Sequence, residues 1–382
     1  MGKQVITPRF YVDMPTFLHA TGQLGWDDYQ GGAELLYMNC ANPYINDTQD
    51  NFPFAIGHPD NNTPKTSFPI NFCALLNHNL ASDSNTFTTL SYIGIDEGNQ
   101  STKLERMPNY TNILNSTGHN NDPTYNGTSI WTFDEISDYW RTFGVYYGET
   151  PEDYQRQLGS LVVGKYWDAP YSPDLNLTMS RSFDGIKKQR TIGGKTLANI
   201  YYDGPTEWTM HHPEDGTYKY PPFELDDVRA VSGNTPITKA VRAKSGLGRK
   251  GLRSWKLSFS YIDEDNMWMA YENSSGSPFK EFNNIEVGDT HEITGGSVVP
   301  SDNGEIVVNY FDNKFNPMLE DNSFNFVWNC TLGGTLPFIF QPDNTNNNTD
   351  QFSICTFRDS SLSVQQVAHN TYRLNVTIDE VA

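Results

Sequence analysis

Between Lys239 and Lys256 the sequence places seven cations with no acid among them: Lys239, Arg242, Lys244, Arg249, Lys250, Arg253 and Lys256. In a chain of formal net charge −20, such a run is either a solvated loop or a docking arm for an acidic neighbour, another copy of the same chain included. Docking is the better reading, because glycine and serine interleave with the cations and suit a segment that orders on binding. A second group, Asp343, Asn346, Asn348 and Asp350 in QPDNTNNNTD, carries the carboxylate and amide oxygens that calcium takes. It lacks the glycine and closing glutamate of a helix-loop-helix calcium site, so it reads as a contact loop and not as a metal site.

Other motifs carry less chemistry. Gly193-Gly194-Lys195-Thr196 imitates the end of a phosphate-binding loop, but the full pattern needs glycine five residues before Gly194, where Gln189 stands. A hairpin turn is expected instead. The eight histidines include neither HExxH nor a His/Cys cluster at zinc-ligand spacing, and His78, inside LLNHNL, reads as a hydrogen-bonded structural residue. No GxSxG elbow occurs. Asp96-Glu97 and Asp263-Glu264-Asp265 read as exposed acidic turns, since a glycosidase pair is defined by spacing in the fold and not along the chain. The expectation is a non-enzyme with no cofactor and no metal.

The elements that position these groups are mainly strands. Aromatics make up 13% of the 382 residues, with 30 Gly and 22 Pro to punctuate turns, which favours β-structure. Asp13-Met-Pro-Thr-Phe-Leu-His-Ala-Thr-Gly22 has an N-cap acid, a first-turn proline and a terminal glycine, and predicts one short helix lying against the body as an N-terminal clasp. Capping boxes at Thr132-Phe-Asp-Glu135 and Thr150-Pro-Glu-Asp153 predict two more helices, the second closed by Gly159. Strands are expected in ELLYMNC, SFPINFCALLNHNL, NTFTTLSYIGI, VVGKYW, Leu175–Met179, Trp255–Tyr261, Phe324–Trp328 and Tyr372–Ile378. Their alternation implies sheets with one wet face. PFIF and FSICTF are strands too, joined by the polar loop at a rim where a neighbour can be met. The fold expected is mainly β: two β-sandwich or jelly-roll-like domains with a few short helices, over 1–180 and 181–382, the second with a long loop at 211–253.

Charge and composition exclude several classes. An acidic surface repels a phosphate backbone, so nucleic acid is not expected as a partner. No run approaches the ~20 apolar residues of a membrane span, and the first residues lack a signal peptide's apolar core, so synthesis in the cytoplasm without membrane insertion is expected. The N-X-S/T triplets at Asn109, Asn115 and Asn126 then reflect composition and not glycans. Cys330 and Cys355 form either a disulfide or, in the better reading, two buried thiols. Trp131, Trp167 and Trp208 are candidates for stacking on sugars, with core burial the better reading.

Several stretches together resemble virion structural proteins of tailed bacteriophages, especially those of marine bacteria and cyanobacteria: FCALLNHNLAS (72–82), GKYWDAPYSPDLNLTMSRSFDGIKKQRTIGGKTLANI (164–200), GLRSWKLSFSYI (251–262), LPFIFQPDNTNNNTDQFSICTF (336–357) and SVQQVAHNTYRLNVTI (363–378). The resemblance implies a tail-tip or baseplate component of the virion, similar in its C-terminal half to distal-tail β-domains. It further implies a homo-oligomeric, hexameric ring that docks tail tube and baseplate proteins. It carries no catalytic residues. LLNHNL also resembles a strand of jelly-roll, galactose-binding-like modules, so a carbohydrate- or receptor-binding module that meets host-surface glycan is the alternative.

Overall fold

Arg9-Phe-Tyr-Val-Asp13 alternates its side chains, and both of its edges are paired, which places this short run in the middle of a large antiparallel sheet. The structure is a computed structural model that describes residues 5–22, 32–39, 44–46, 54–57, 70–78, 89–96, 101–106, 110–114, 128–136, 140–146, 156–175, 177–182, 186–200, 225–226, 240–241, 251–268, 297–300, 306–309, 323–348 and 351–381.

The strands of the first half are β1 (Arg9–Asp13), β2 (Tyr44–Asn46), β3 (Phe54–Gly57), β4 (Ile70–His78), β5 (Thr89–Asp96), β6 (Ser101–Arg106), β7 (Thr111–Asn112), β8 (Thr128–Ile136), β9 (Trp140–Tyr146) and β10 (Arg156–Asp168). Those that follow are β11 (Thr178–Ser182), β12 (Ile186–Arg190), β13 (Thr196–Ile200), β14 (Leu225–Asp226), β15 (Ala240–Val241), β16 (Leu252–Asp263), β17 (Ser297–Pro300) and β18 (Ile306–Asn309). The last four are β19 (Phe338–Gln341), β20 (Ser353–Phe357), β21 (Ser363–Ala368) and β22 (Thr371–Glu380). Among the described residues there are also three short helices, α1 (Met14–Ala20), α2 (Glu264–Met267) and α3 (Phe324–Cys330), with a 3₁₀ turn at Gly32–Leu35. The protein is mainly β.

Twelve strands form one sheet in the order β11-β16-β22-β20-β19-β1-β10-β4-β8-β7, with β2 beside β10 and β21 beside β22. A four-stranded sheet runs β3-β9-β5-β6, and β12-β13, β14-β15 and β17-β18 are separate pairs. Position 180 falls within β11, and strands from both sides of it contribute to the twelve-stranded sheet. They meet where β1 pairs with β19, Phe10 opposite Phe340 and Val12 opposite Phe338.

The period-2 geometry of a strand sorts the core onto both faces. Phe10, Val12, Leu161, Val163, Leu257, Phe340 and Val376 belong to one cluster, covered by Met14, Phe17 and Leu18 of α1, by Phe324, Phe326 and Val327 of α3, and by Phe143 and Val145 of β9. Tyr11, Phe72, Ala74, Val162, Ile339 and Ile354 belong to the other, with Met38, Leu114 and Phe352. The middle of the sheet is therefore dry on both sides, where alternation in the sequence predicts one wet face. At β16 the simple alternation does hold, from buried Trp255 to exposed Lys256 to buried Leu257.

Tertiary context overrides local signals at several points. Thr132-Phe-Asp-Glu135 lies in β8, not in a helix: Trp131 and Thr132 pair with Cys73 and Phe72 of β4, and Ile130, Trp131 and Phe133 are buried. A capping box is worth about 1 kcal/mol, less than the burial of those side chains. Residues 150–155 lie outside the described residues, and Gly159 sits inside β10 and closes no helix. Phe324–Trp328 is helical, started by Ser323, whose hydroxyl accepts from Phe326 N. ELLYMNC begins in the 3₁₀ turn, and Tyr37 and Met38 take positive φ. The strand near Met179 starts only at Thr178, and Leu175 is fully exposed. The N-terminal helix forms as expected, capped by Asp13 and followed by Gly22 at φ +73°, and it lies against the body through buried Met14, Phe17 and Leu18; β1 before it is a central strand.

Gly164 is required by close approach of backbone. Gly164 of β10 stands opposite Asp13, and a Cβ there would meet Val12 O at 2.1 Å and Met14 Cγ at 2.8 Å. Gly164→Ala is expected to destabilise by about 1–3 kcal/mol, since the first obstacle is backbone. A urea midpoint equal to or above that of the unaltered chain would contradict this.

Candidate functional site

The polar loop between β19 and β20 closes a hairpin in which Phe338 faces Cys355. Asn and Asp favour turns because their side chains bond backbone two residues on, and that happens twice. Asp343 Oδ1 accepts from Thr345 N at 3.0 Å and from Thr345 Oγ1 at 2.6 Å, and Asn346 Oδ1 accepts from Asn348 N at 3.1 Å. Gln341 Nε2 donates to Asn346 O and Asn347 Oδ1, while Tyr11 Oη donates to Gln341 Oε1 at 2.8 Å. Backbone bonds from Ile6 to Pro342 and from Asn344 to Thr7 fasten the loop to the N-terminal segment. Asp343 is buried and its oxygens hold the turn; Asn348 is exposed, and Asp350 lies outside the described residues.

The basic run divides. Lys239, Arg242, Lys244, Arg249 and Lys250 lie outside the described residues, although Ala240–Val241 between them pairs with Leu225–Asp226 inside the span expected as loop. Lys256 is exposed on β16 between Thr178 and Thr377. Arg253 is not part of an exposed arm. It is buried, its Nη2 donating to Glu380 Oε1 at 2.7 Å and its Nε to Glu380 Oε2 at 3.0 Å. Nη2 also donates to Phe352 O at 2.9 Å and to Ser353 Oγ, and the guanidinium lies 5.1 Å from the Trp255 ring centroid. Trp131 and Trp167 are core residues, and Trp208 lies outside the described residues. Cys73, Cys330 and Cys355 are buried free thiols, so Cys330 and Cys355 form no disulfide.

Sequence reasoning missed a polar strip at the β1 seam. Arg9 donates to Asp168 through Nε and Nη2 at 2.6 and 2.7 Å and lies 3.9 Å from the Tyr166 ring centroid. Burial opposes its charge, but the Asp168 bonds win and hold the guanidinium above its ordinary pKa. Pro8 just before the strand and Asp13 at its end, the N-cap of α1, are the signals that bracket it.

Two buried titratable groups oppose each other. Asp13 accepts from Thr16 Oγ1 at 2.5 Å, yet burial pushes its carboxyl up to about 7. His78 meets Ser129 Oγ at 2.8 Å through Nε2, as its buried setting in LLNHNL suggested, and burial pushes it down to about 3. Asp13 contributes stability that is complete below the ordinary carboxyl value of 3.8 and is lost as pH rises through about 7. His78 contributes stability that is complete above 6.5 and is lost as pH falls towards 3. Their slopes cancel between those ordinary values. Asp13→Asn, which keeps a cap but removes the carboxyl, is expected to leave stability falling more steeply with acid over that window than in the unaltered chain, read from denaturant midpoints at each pH. Parallel profiles for the two chains would refute the Asp13 assignment.

Two exposed features remain. The Gly193-Gly194 turn joins β12 to β13 as a hairpin, with Gly194 at φ +82° and Thr191 and Lys195 bonded across the turn. At the far end of β16, Asp174 Oδ2 accepts from Ser260 Oγ at 2.5 Å and Asp174 N donates to Ser258 O at 2.7 Å. Exposed Asp263 and Asp265 follow, with Tyr261 70% exposed. Burial, together with Asp263 and Asp174, pushes the neighbouring Tyr171 hydroxyl up to about 12. Among the described residues no group of three His, Cys, Asp or Glu is placed to hold a metal, and no helix is long and apolar enough to cross a membrane.

Compared with protein-family models, curated proteins and solved structures, the chain matches none.

Proposed function

We propose that this chain is a structural subunit of a bacteriophage tail, at the tail tip or baseplate of the virion, where copies associate into a ring and dock neighbouring tail proteins. One observation carries the reading. The stretches of sequence that resemble tail proteins supply most of β4, the end of β10, and β11, β16, β19, β20, β21 and β22 of the main sheet, together with the separate β12–β13 hairpin. The charged pairs support it, because half-buried Arg9 and buried Lys165 and Arg253 are each engaged with a carboxylate of another segment, Asp168, Glu135 and Glu380. These pairs hold strands together, which is the work of a scaffold.

Light scattering and electron microscopy of the purified chain test the proposal. A discrete ring, six copies by the resemblance, is expected, and it dissociates as salt rises because charge contributes to the contact. A salt-indifferent monomer at every concentration would overturn the self-assembling part of the reading.

A further inference from the structure

The β12–β13 hairpin is bonded to no other strand among the described residues. From Ile186 to Ile200 it carries Lys187, Lys188, Arg190 and Lys195 and no acid, in a chain of net charge −20. Residues 189–196 are all exposed, and Ile192 at the tip is fully so. A two-stranded hairpin gains little from folding alone, and an apolar tip among cations has the anatomy of an interface anchor with a charged rim. The end of β16 has the complementary composition: exposed Tyr261 beside Asp263 and Asp265, with Asp174 tied to Ser258 and Ser260 and fully exposed Leu175 next to it in sequence. Asp263 stands at the N-cap position of α2, yet its side chain makes no capping bond.

We infer that the β12–β13 hairpin of one copy docks on the Tyr261, Asp263, Asp265 and Asp174 surface of a second copy, Ile192 meeting the apolar ring and Arg190 and Lys195 meeting the carboxylates. The inference rests on the reading of the chain as a self-associating subunit and names the contact. A second copy is the occupant because every copy carries both the basic hairpin and the acidic surface, and such a head-to-tail contact forms a ring when its rotation closes.

Charge reversal tests it on the full chain. Arg190→Glu with Lys195→Glu, and separately Asp263→Lys with Asp265→Lys, are each expected to weaken assembly about tenfold or more in concentration, read by light scattering. All four changes together restore assembly to within about threefold, as a direct contact requires. These side chains are exposed, and unchanged circular dichroism confirms that each variant folds. If the unaltered chain assembles and the reversals leave it untouched, the hairpin contact is overturned while the subunit reading stands. If each pair weakens assembly but the combination fails to restore it, the hairpin does not meet this surface. An unaltered chain that stays monomeric at every concentration overturns the hairpin contact together with the self-assembling part of the subunit reading.

Discussion

Glu380→Ala is expected to cost the fold about 3–5 kcal/mol, the range for removing one partner of a buried ion pair. Both Glu380 and Arg253 are buried, and the carboxylate receives the Arg253 backbone N at 2.8 Å as well as two guanidinium nitrogens. Without it, Arg253 retains Phe352 O and Ser353 Oγ, which satisfy hydrogens but not charge. The double variant Arg253→Met with Glu380→Leu is expected to recover most of the loss, because it removes both desolvated charges at similar volume. Urea unfolding measures both. A loss below about 1 kcal/mol for Glu380→Ala would mean that the pair behaves as a surface bridge.

Phe10→Ala is expected to cost a similar 3–5 kcal/mol, for a different reason. Its ring is fully buried, with centroids of Phe340 at 5.1 Å, Trp167 at 5.6 Å, Phe338 at 5.7 Å, Phe324 at 5.9 Å and Phe357 at 6.2 Å. Those neighbours come from β10, β19, α3 and β20, so no single element can move in to fill the space. Phe10→Leu keeps most of the apolar volume and is expected to lose about half as much. Denaturant midpoints decide, and an alanine variant within about 1 kcal/mol of the unaltered chain would show that the aromatic cluster relaxes around the cavity.

The long strands were legible because their alternation and their burial agree. Trp255–Tyr261 and Tyr372–Ile378 lie in β16 and β22, and the polar loop after PFIF is the hairpin connection expected of it. The errors share a cause. FNFVW alternates like a strand, but the hydroxyl of Ser323 and burial of Phe324, Val327 and Cys330 favour the helix. TFDE has a capping signature, but β4 offers its neighbour a ladder and a dry face. Arg253 looked like its neighbours in a basic run; only the register that sets β16 beside β22 shows that it faces Glu380. Long-range partners of this kind leave no trace in local spacing, and the Arg9–Asp168 pair, whose residues are 159 positions apart, was invisible for the same reason.

The seam at β1 also sets an order of events during synthesis. Tyr11 and Gln341, which bond across it, are 330 positions apart. β10 leaves the ribosome first and can pair with one edge of β1, but the other edge must wait for Phe338–Gln341. At roughly 5–20 residues per second that wait is on the order of tens of seconds. Throughout it, the nascent chain presents an unpaired central strand edge with Phe10 and Val12 beside it, the kind of edge that recruits a strand from another polypeptide. The length of chain between β10 and β19 therefore sets how long each newly made chain is open to the wrong partner on a polysome.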